Sequence, residues 1–157
     1  MPIRVDHSIG GIIMTTENLT SKSYLSQAYR IDQRINSKLE QVQSLRELAE
    51  KATATLTDSP VTSTRNVHSM EDIIAKMVDL ESEINADLDG LIDLKHEIVT
   101  VIKCVEATDL QTLLELRYLC FQTWEEISVA LHLDIRWVHR LHTKALIEID
   151  MIRHARP

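Results

Sequence analysis

The first long periodic segment of the chain runs from about Ser23 to Leu56. Apolar residues recur there at alternating steps of three and four, with Leu39 one step off the line and Lys38 in an inner position. The apolar positions are Ala28, Ile31, Ile35, Val42, Leu45, Ala49, Ala52 and Leu56. Such a heptad spacing is typical of a helix that buries one seam against another helix. The segment predicts one amphipathic helix, about 50 Å long at 1.5 Å per residue.

A second heptad pattern follows an interruption at residues 57–68, where a proline among Ser, Thr, Asp and Asn predicts a loop. Ser69 is the expected N-cap of the next helix, with Asp72 placed favourably for the helix dipole. The inner positions include one polar residue, Asp87, with Leu88 beside it. The apolar ones are Met70, Ile73, Met77, Leu80, Ile84, Leu91, Leu94, Ile98, Val101 and Val105. Matched seams and a short connection predict an antiparallel coiled-coil hairpin over residues 20–106.

Charge supports this pairing of the two predicted helices. Between Glu71 and Glu97 the second helix has nine acidic residues against two lysines, whereas the first has five basic residues against four acidic ones. Flanking positions therefore attract each other. A two-helix ribbon leaves apolar surface uncovered, so we expect a homodimer or higher homo-oligomer through the hairpin, or docking on a larger protein. The interpretation that needs no ligand is a rigid spacer or a dimerisation device.

Residues 107–157 predict a small unit of three helices. Thr108 is a candidate cap for a helix through Leu110 and Tyr118, and Thr123 with Glu126 has the spacing of a capping box. Ile127, Ala130 and Leu131 form the buried stripe of the short helix that follows. His132, Leu133 and Asp134 form a turn in which Asp134 caps the last helix. The inward face of that helix is Ile135, Val138, Leu141, Ala145 and Ile149.

The last helix has a polar outward face, and we expect this face to contact double-stranded DNA. Its residues are Arg136, Trp137, His139, Arg140, Thr143 and Lys144. A helix in a major groove needs an apolar spine on one side and guanidinium, amine and hydroxyl groups on the other. Residues 135–157 have a net charge of +3 within a chain of −7. Alternatively, Arg140 and Lys144 only solvate the helix, and Trp137 packs in the core.

The amino-acid composition indicates the fold class of the chain and limits the chemistry that it can carry out. Three Gly, three Pro and one Phe among 157 residues predict an all-α protein. No apolar run approaches the roughly 18 residues of a membrane span, so we expect a soluble intracellular protein with no membrane partner. Cys104 and Cys120 lie in apolar patterns and predict buried free thiols.

Residues 1–19 predict a disordered or loosely attached leader, of which residues 1–13 are either native or an extension upstream of a start at Met14.

An enzymatic function is not expected from this inventory of residues. The chain lacks a glycine-rich phosphate loop and a nucleophile elbow, and the acidic pairs of the second helix are typical of a solvated face. His139 and His142 have a spacing of three but no companion ligand in the sequence pattern, so His142 is interpreted as a packing residue. We expect no catalytic residue, no metal and no cofactor.

The C-terminal third also resembles a known motif. The stretch TWEEISVALHLDI followed by VHRLHTKAL resembles the helix-turn-helix of sigma factor region 4. Residues 24–149, with YLSQAYRIDQRINSKLEQV and LLELRYLCFQTWEEI, resemble phage and prophage transcriptional regulators of the autolysin regulatory protein type. The resemblance implies a recognition helix at 135–146 and a supporting helix at 124–131 that crosses the DNA backbone. That family pattern favours Gly in the turn where this chain has His132. Histidine is less favourable than glycine in a left-handed turn.

Two functions from different classes follow from these observations. The first is a sequence-specific DNA-binding transcription regulator of phage or prophage type, with the acidic hairpin used for self-association or for contact with host RNA polymerase. The second is a helical adaptor that binds protein instead of DNA, which the modest +3 of the terminal segment keeps open. Recognition of packaging DNA in the manner of a small terminase subunit shares the chemistry of the first.

Overall fold

A computed structural model describes residues 19–56 and 63–155, and these residues are all-helical with no strand among them. The helices are α1 (Ser21–Leu25), α2 (Gln27–Leu56), α3 (Ser63–Ile102), α4 (Thr108–Tyr118), α5 (Trp124–Leu131) and α6 (Ile135–Ala155). The all-α fold class predicted from composition is confirmed. The predicted leader lies outside the described residues except for Leu19, and so do residues 57–62 of the predicted loop.

Helices α2 and α3 pack side by side in opposite directions. Arg34 lies beside Asp87, and Lys38, one turn further along α2, reaches back to Glu83 on α3. The predicted inner positions Ala28, Ile35 and Val42 are buried on α2, as are Ile73, Ile84, Leu91 and Ile98 on α3. Leu39, one step off the pattern, is half exposed. The heptad positions therefore do mark the faces along which the two helices meet.

Two predicted helix boundaries in this region are wrong. Helix α3 begins at Ser63, so residues 63–68 are helical rather than loop and Ser69 lies inside the helix instead of capping it. The first predicted helix is divided at Ser26 into α1 and α2, and the cap of α1 is Thr20, whose hydroxyl accepts from the Ser23 N–H. The loop-forming composition of residues 57–68 misled the prediction because helix α3 continues through polar residues that carry no heptad signal.

The polar inner positions of the two helices contact each other. Lys38 Nζ lies 2.7 Å from Asp87 Oδ2 and 2.9 Å from Glu83 Oε2, and Arg34 Nε lies 3.1 Å from Asp87 Oδ2. Burial acts to raise the pKa of Asp87, but the hydrogen bonds from Arg34 and Lys38 outweigh it and hold that pKa below its usual value. The same bonds to Asp87 and Glu83 raise the pKa of Lys38. Both groups are thus charged at neutral pH and satisfy each other across the seam.

Helix α1 fastens the start of the hairpin to the far end of α6. The Ser21 hydroxyl donates to Asp150 at 3.1 Å, and the Arg153 guanidinium donates to the Leu19 carbonyl at 2.8 Å. The same guanidinium lies 4.5 Å from the centre of the Tyr24 ring, whose hydroxyl donates to Glu97 on α3. Three elements distant in sequence therefore meet at one polar seam.

The core is continuous from the hairpin into the C-terminal helices. Fully buried Leu25, Ile98, Ile102, Leu114 and Ile149 belong to one cluster, and Leu113, Ile127 and Val138 form a second beneath α5. The predicted burial of the cysteines is wrong, since Cys104 and Cys120 are free and exposed. Both lie just beyond the ends of helices, α3 and α4, where helical spacing no longer determines which side chains face the core. Across residues 19–56 and 63–155, no helix has the length and hydropathy of a membrane span.

Candidate functional site

Helix α5 is held at its start by a reciprocal pair of hydrogen bonds. The Glu126 N–H donates to the Thr123 hydroxyl at 3.2 Å, and the Thr123 N–H donates to the Glu126 carboxylate at 2.7 Å. The predicted capping box is therefore confirmed. The matching prediction for Thr108 is wrong, because Ala107 occupies the cap position of α4 and offers no side-chain acceptor.

The turn between α5 and α6 is left-handed at His132, with φ of 53° and ψ of 40°. The Leu133 N–H donates to the Ser128 carbonyl at 3.0 Å, and the His132 N–H donates to the Val129 carbonyl at 3.2 Å. The Ser128 hydroxyl donates in turn to the Leu133 carbonyl. The chain thus adopts the left-handed geometry without glycine, and three hydrogen bonds hold the histidine in a conformation that costs about 1–2 kcal/mol.

Helix α6 begins after Asp134 and is fixed by its inward face. The Arg136 N–H donates to the Asp134 carboxylate at 2.8 Å, so the predicted cap is confirmed. Val138 is fully buried against Leu113 and Ile127, while Ala145 and Ile149 are fully buried in the larger cluster. The first half of α6 is therefore clamped between α4 and α5, and its other side faces solvent.

A buried aromatic cluster locks the middle of α6. The Tyr118 hydroxyl and His142 Nε2 lie 2.7 Å apart, and the Trp124 ring lies 4.6 Å from His142 and 4.7 Å from His139 between ring centres. The Arg117 guanidinium covers the Trp124 ring at 4.3 Å. These contacts confirm His142 as a packing residue. Sequence reasoning missed Trp124 and Tyr118, whose only signal was aromatic character beside a capping residue.

The electrostatics of this cluster keep its groups neutral. Burial raises the pKa of Tyr118 to about 12. Burial also lowers the pKa of His142 to about 4, helped by the charges of Lys22, Arg117 and His139. The bond between them therefore joins two neutral groups at pH 7, which suits a structural role for His142.

All six residues predicted to contact DNA are exposed: Arg136, Trp137, His139, Arg140, Thr143 and Lys144. Trp137 is 49% exposed, which excludes the interpretation that it packs in the core. Arg136, Arg140 and Lys144 are spaced by four and follow one ridge of the helix. Within the described part of the chain, no carboxylate forms an ion pair with any of the three. The Thr143 hydroxyl donates to the His139 carbonyl at 3.1 Å, which leaves its oxygen free to accept.

The outward face of α5 differs in charge from that of α6. Glu125 and Glu126 occupy its first turn, and Val129 is exposed beside Ala130. An open groove lined by these residues and Gln122 follows the helix. Carboxylates at this position repel phosphate. The cationic ridge of α6 is therefore the part of this unit that suits a polyanion.

Comparison with known proteins does not add a family. The chain matches no protein-family model, no curated protein and no solved structure.

Proposed function

We propose that the protein is a sequence-specific DNA-binding transcription regulator that reads the major groove with the first half of α6. The observation that supports this most is the exposed face of Arg136, Trp137, His139, Arg140, Thr143 and Lys144 on a helix whose opposite side is fully buried. A rigid helix with a cationic ridge can place side chains against base edges with little conformational freedom to lose on binding.

The arrangement of α5, the turn and α6 supports a helix-turn-helix of the sigma region 4 type. The turn is short, its left-handed residue is held by three hydrogen bonds, and α6 begins with a cap directly after it. In this proposal Arg136 and Arg140 supply bidentate contacts to guanine, each worth about 1–3 kcal/mol of discrimination, and Lys144 contacts phosphate. Thr143 accepts a hydrogen bond, and Trp137 and His139 offer flat surfaces to sugars or thymine methyl groups.

The acidic first turn of α5 shapes how this unit would sit on DNA. Glu125 and Glu126 keep phosphate away from the start of α5, so contact is carried by α6. We expect Glu125→Gln to tighten binding to all sequences by a few fold and to leave the preferred sequence unchanged, because it removes repulsion and no base contact. Glu126 is unsuitable for this test because its carboxylate caps the helix.

Helices α2 and α3 would then form a coiled-coil hairpin that joins the reading unit to a partner. The acidic character of α3 suits protein better than DNA, and host RNA polymerase is the partner that a regulator of this kind would contact. The hairpin keeps its register through Lys38 and Asp87, as polar inner positions of coiled coils do.

The experiment that tests the proposal is selection of duplexes from a random library by the purified protein, with and without RNA polymerase. Wild type is compared with Arg136→Ala/Arg140→Ala, and with Arg30→Ala/Arg46→Ala as a control of equal net charge on exposed positions of α2. We expect an enriched motif that the α6 variant loses and the α2 variant keeps. Affinity for that motif should also fall steeply with salt.

Loss of the motif in both variants would mean that net charge alone drives binding. No enrichment by the folded wild type under either condition would exclude the regulator and favour the adaptor, in which the same face of α6 grips protein.

A further inference from the structure

Helix α3 carries a second heptad line beside the one that packs on α2. The buried line is Ile73, Met77, Leu80, Ile84, Asp87, Leu91 and Leu94, and the second line is displaced from it by one residue throughout. Its central members are Ile74, Val78, Glu81, Asn85, Leu88 and Ile92. One residue is 100° of helix rotation, so the second line faces sideways out of the hairpin.

The second line is exposed where the first is buried. Its four apolar side chains are 39% to 64% exposed, although Ile and Val at these positions have no local role in a solvated helix. The opposite side of the hairpin has an open groove in which the polar residues Ser37, Glu40, Lys76, Asp79 and Glu83 line the rim together with Leu45 and Leu80. The exposed large apolar residues of α3 are thus concentrated on one side of the ribbon.

The order of residues along the line is symmetric about residue 83. Ile74 and Ile92 are equally far from that point, as are Val78 and Leu88, and Glu81 and Asn85. In an antiparallel pair of identical helices, positions equidistant from the centre lie opposite each other. Each layer of contacts then pairs an a position of one helix with a d position of the other.

From this register we infer that two copies of the chain pair through α3, antiparallel, about a two-fold axis at residue 83. Each apolar residue then meets an apolar residue of the second copy, and the Glu81 carboxylate accepts from the Asn85 amide. No layer brings like charges together. Ile74 to Ile92 spans about 27 Å at 1.5 Å per residue, which is five turns of continuous contact.

A second copy fits this surface better than an unrelated helix does, because the surface is complementary to itself. An isologous interface requires the same patch on both subunits with residues exchanged across the axis, and the three central layers meet that requirement. The pairing does not depend on what α6 binds, so it stands or fails separately from the proposed function.

Sedimentation equilibrium of the full chain over a wide concentration range tests the interface. We expect a dimer for wild type and a dissociation constant raised roughly hundredfold or more by Val78→Glu/Ile92→Glu, since four buried apolar side chains become charged. Both positions are exposed within the single chain, and glutamate is a good helix former, so circular dichroism should report an unchanged fold. Leu48→Glu on α2 and Met151→Glu on α6 are matched controls at exposed apolar positions outside the line and should leave the dimer intact.

Substitutions at Asn85 test the antiparallel register. Asn85→Lys places an ammonium opposite Glu81 of the second copy and should tighten the dimer about threefold to tenfold, whereas Asn85→Glu should weaken it. In a parallel pair the two introduced lysine side chains would meet each other, and the dimer would weaken instead. Asn36→Lys on α2 controls for net charge and should have no effect.

Three results would overturn the inference. A wild-type chain that stays monomeric at every concentration, or a dimer that survives Val78→Glu/Ile92→Glu, would exclude the α3 interface. Weakening by Asn85→Lys would exclude the antiparallel register.

Discussion

The hairpin of α2 and α3 and the unit of α4, α5 and α6 bury their apolar residues to different depths. Ile35, Val42, Ile84 and Leu91, in the length of the hairpin away from the C-terminal unit, keep 5% to 8% of their surface exposed. Ile98, at the end of the hairpin that meets this unit, and Leu113, Ile127 and Val138 within the unit are at 0%. Two helices cover each other from one side only, while three helices enclose a point between them. The comparison teaches that the C-terminal unit gains rigidity from packing, and the hairpin relies on polar pairs for its alignment.

The largest expected difference between the two regions comes from cavities. Ile127→Ala should cost about 3–4 kcal/mol of unfolding free energy, because the enclosed site cannot collapse around the lost atoms. Ile84→Ala should cost nearer ~2 kcal/mol, since the open ribbon can close partly over the gap. Urea unfolding followed by circular dichroism measures both.

Val129→Ala, at an exposed position of α5, is the control and should stay within about 0.5 kcal/mol of wild type. Equal costs at Ile84 and Ile127 would contradict the difference in depth.

The next effect is confined to the C-terminal unit and depends on pH. His142 has a pKa of about 4 in the folded chain against about 6.5 when unfolded, so below pH 6.5 the unfolded chain binds the extra proton. The stability contributed by keeping His142 neutral is complete above pH 6.5 and falls by about 3 kcal/mol as pH drops to 4. His142→Gln should flatten this slope, because an amide can still bond Tyr118 but does not titrate.

Unfolding free energies measured between pH 4 and 7 provide the readout for His142→Gln. His96→Gln, at an exposed position of α3 outside this cluster, should retain the wild-type slope. An unchanged slope in His142→Gln would remove His142 as its source.

In the hairpin, the corresponding electrostatic contribution to the free energy of unfolding comes from the ion pair of Lys38 with Asp87. Asp87→Leu removes the carboxylate that Arg34 and Lys38 share, leaves Lys38 with Glu83 alone, and should cost about 2 kcal/mol. Lys38→Leu/Asp87→Leu replaces both inner polar groups by apolar ones and should recover that loss or exceed it by about 1 kcal/mol. Thermal melting followed by circular dichroism ranks the three proteins, and a double variant less stable than the single one would show that the pair itself is the main stabilising contact.

The smallest expected effects are backbone substitutions, one in each region. Gly90 lies inside α3 with open space around the position of an added Cβ, so Gly90→Ala should stabilise by about 0.5–1 kcal/mol. His132→Gly removes left-handed strain at the turn and should stabilise by a similar amount. Denaturation midpoints measure both, and a destabilised His132→Gly would mean that the histidine ring contributes more than its backbone costs.

The helical periodicity and the capping box could be predicted because each depends on residues close in sequence. The seams of α2 and α3 and the reciprocal bonds of Thr123 and Glu126 are patterns within one helix or one turn. The outward face of α6 followed from the same periodicity, and all six of its residues are exposed. What they bind remains a proposal, because exposure and charge alone do not name a ligand.

Contacts between distant segments could not be predicted in the same way. Lys38 and Asp87 were each identified as polar inner residues, but their pairing depends on a register set by the whole hairpin. The contacts of His142 with Tyr118 and Trp124 depend on how α4, α5 and α6 pack. The prediction of Ser69 as a cap failed because capping residues also occur inside long exposed helices. The prediction of buried cysteines failed because both lie beyond helix ends, where helical spacing no longer determines which side chains face the core.

The contact between α1 and α6 has a consequence for the order of folding. The Ser21 to Asp150 hydrogen bond joins residues 129 apart in sequence, and closing a loop of that length costs about 4 kcal/mol in chain entropy if nothing else is formed. Pairing of α2 with α3 shortens the effective path, so this contact should form after the hairpin and the C-terminal unit. Amide exchange in α1 should then be faster than in α4 or α6, which would make α1 the first element to detach and the last to dock.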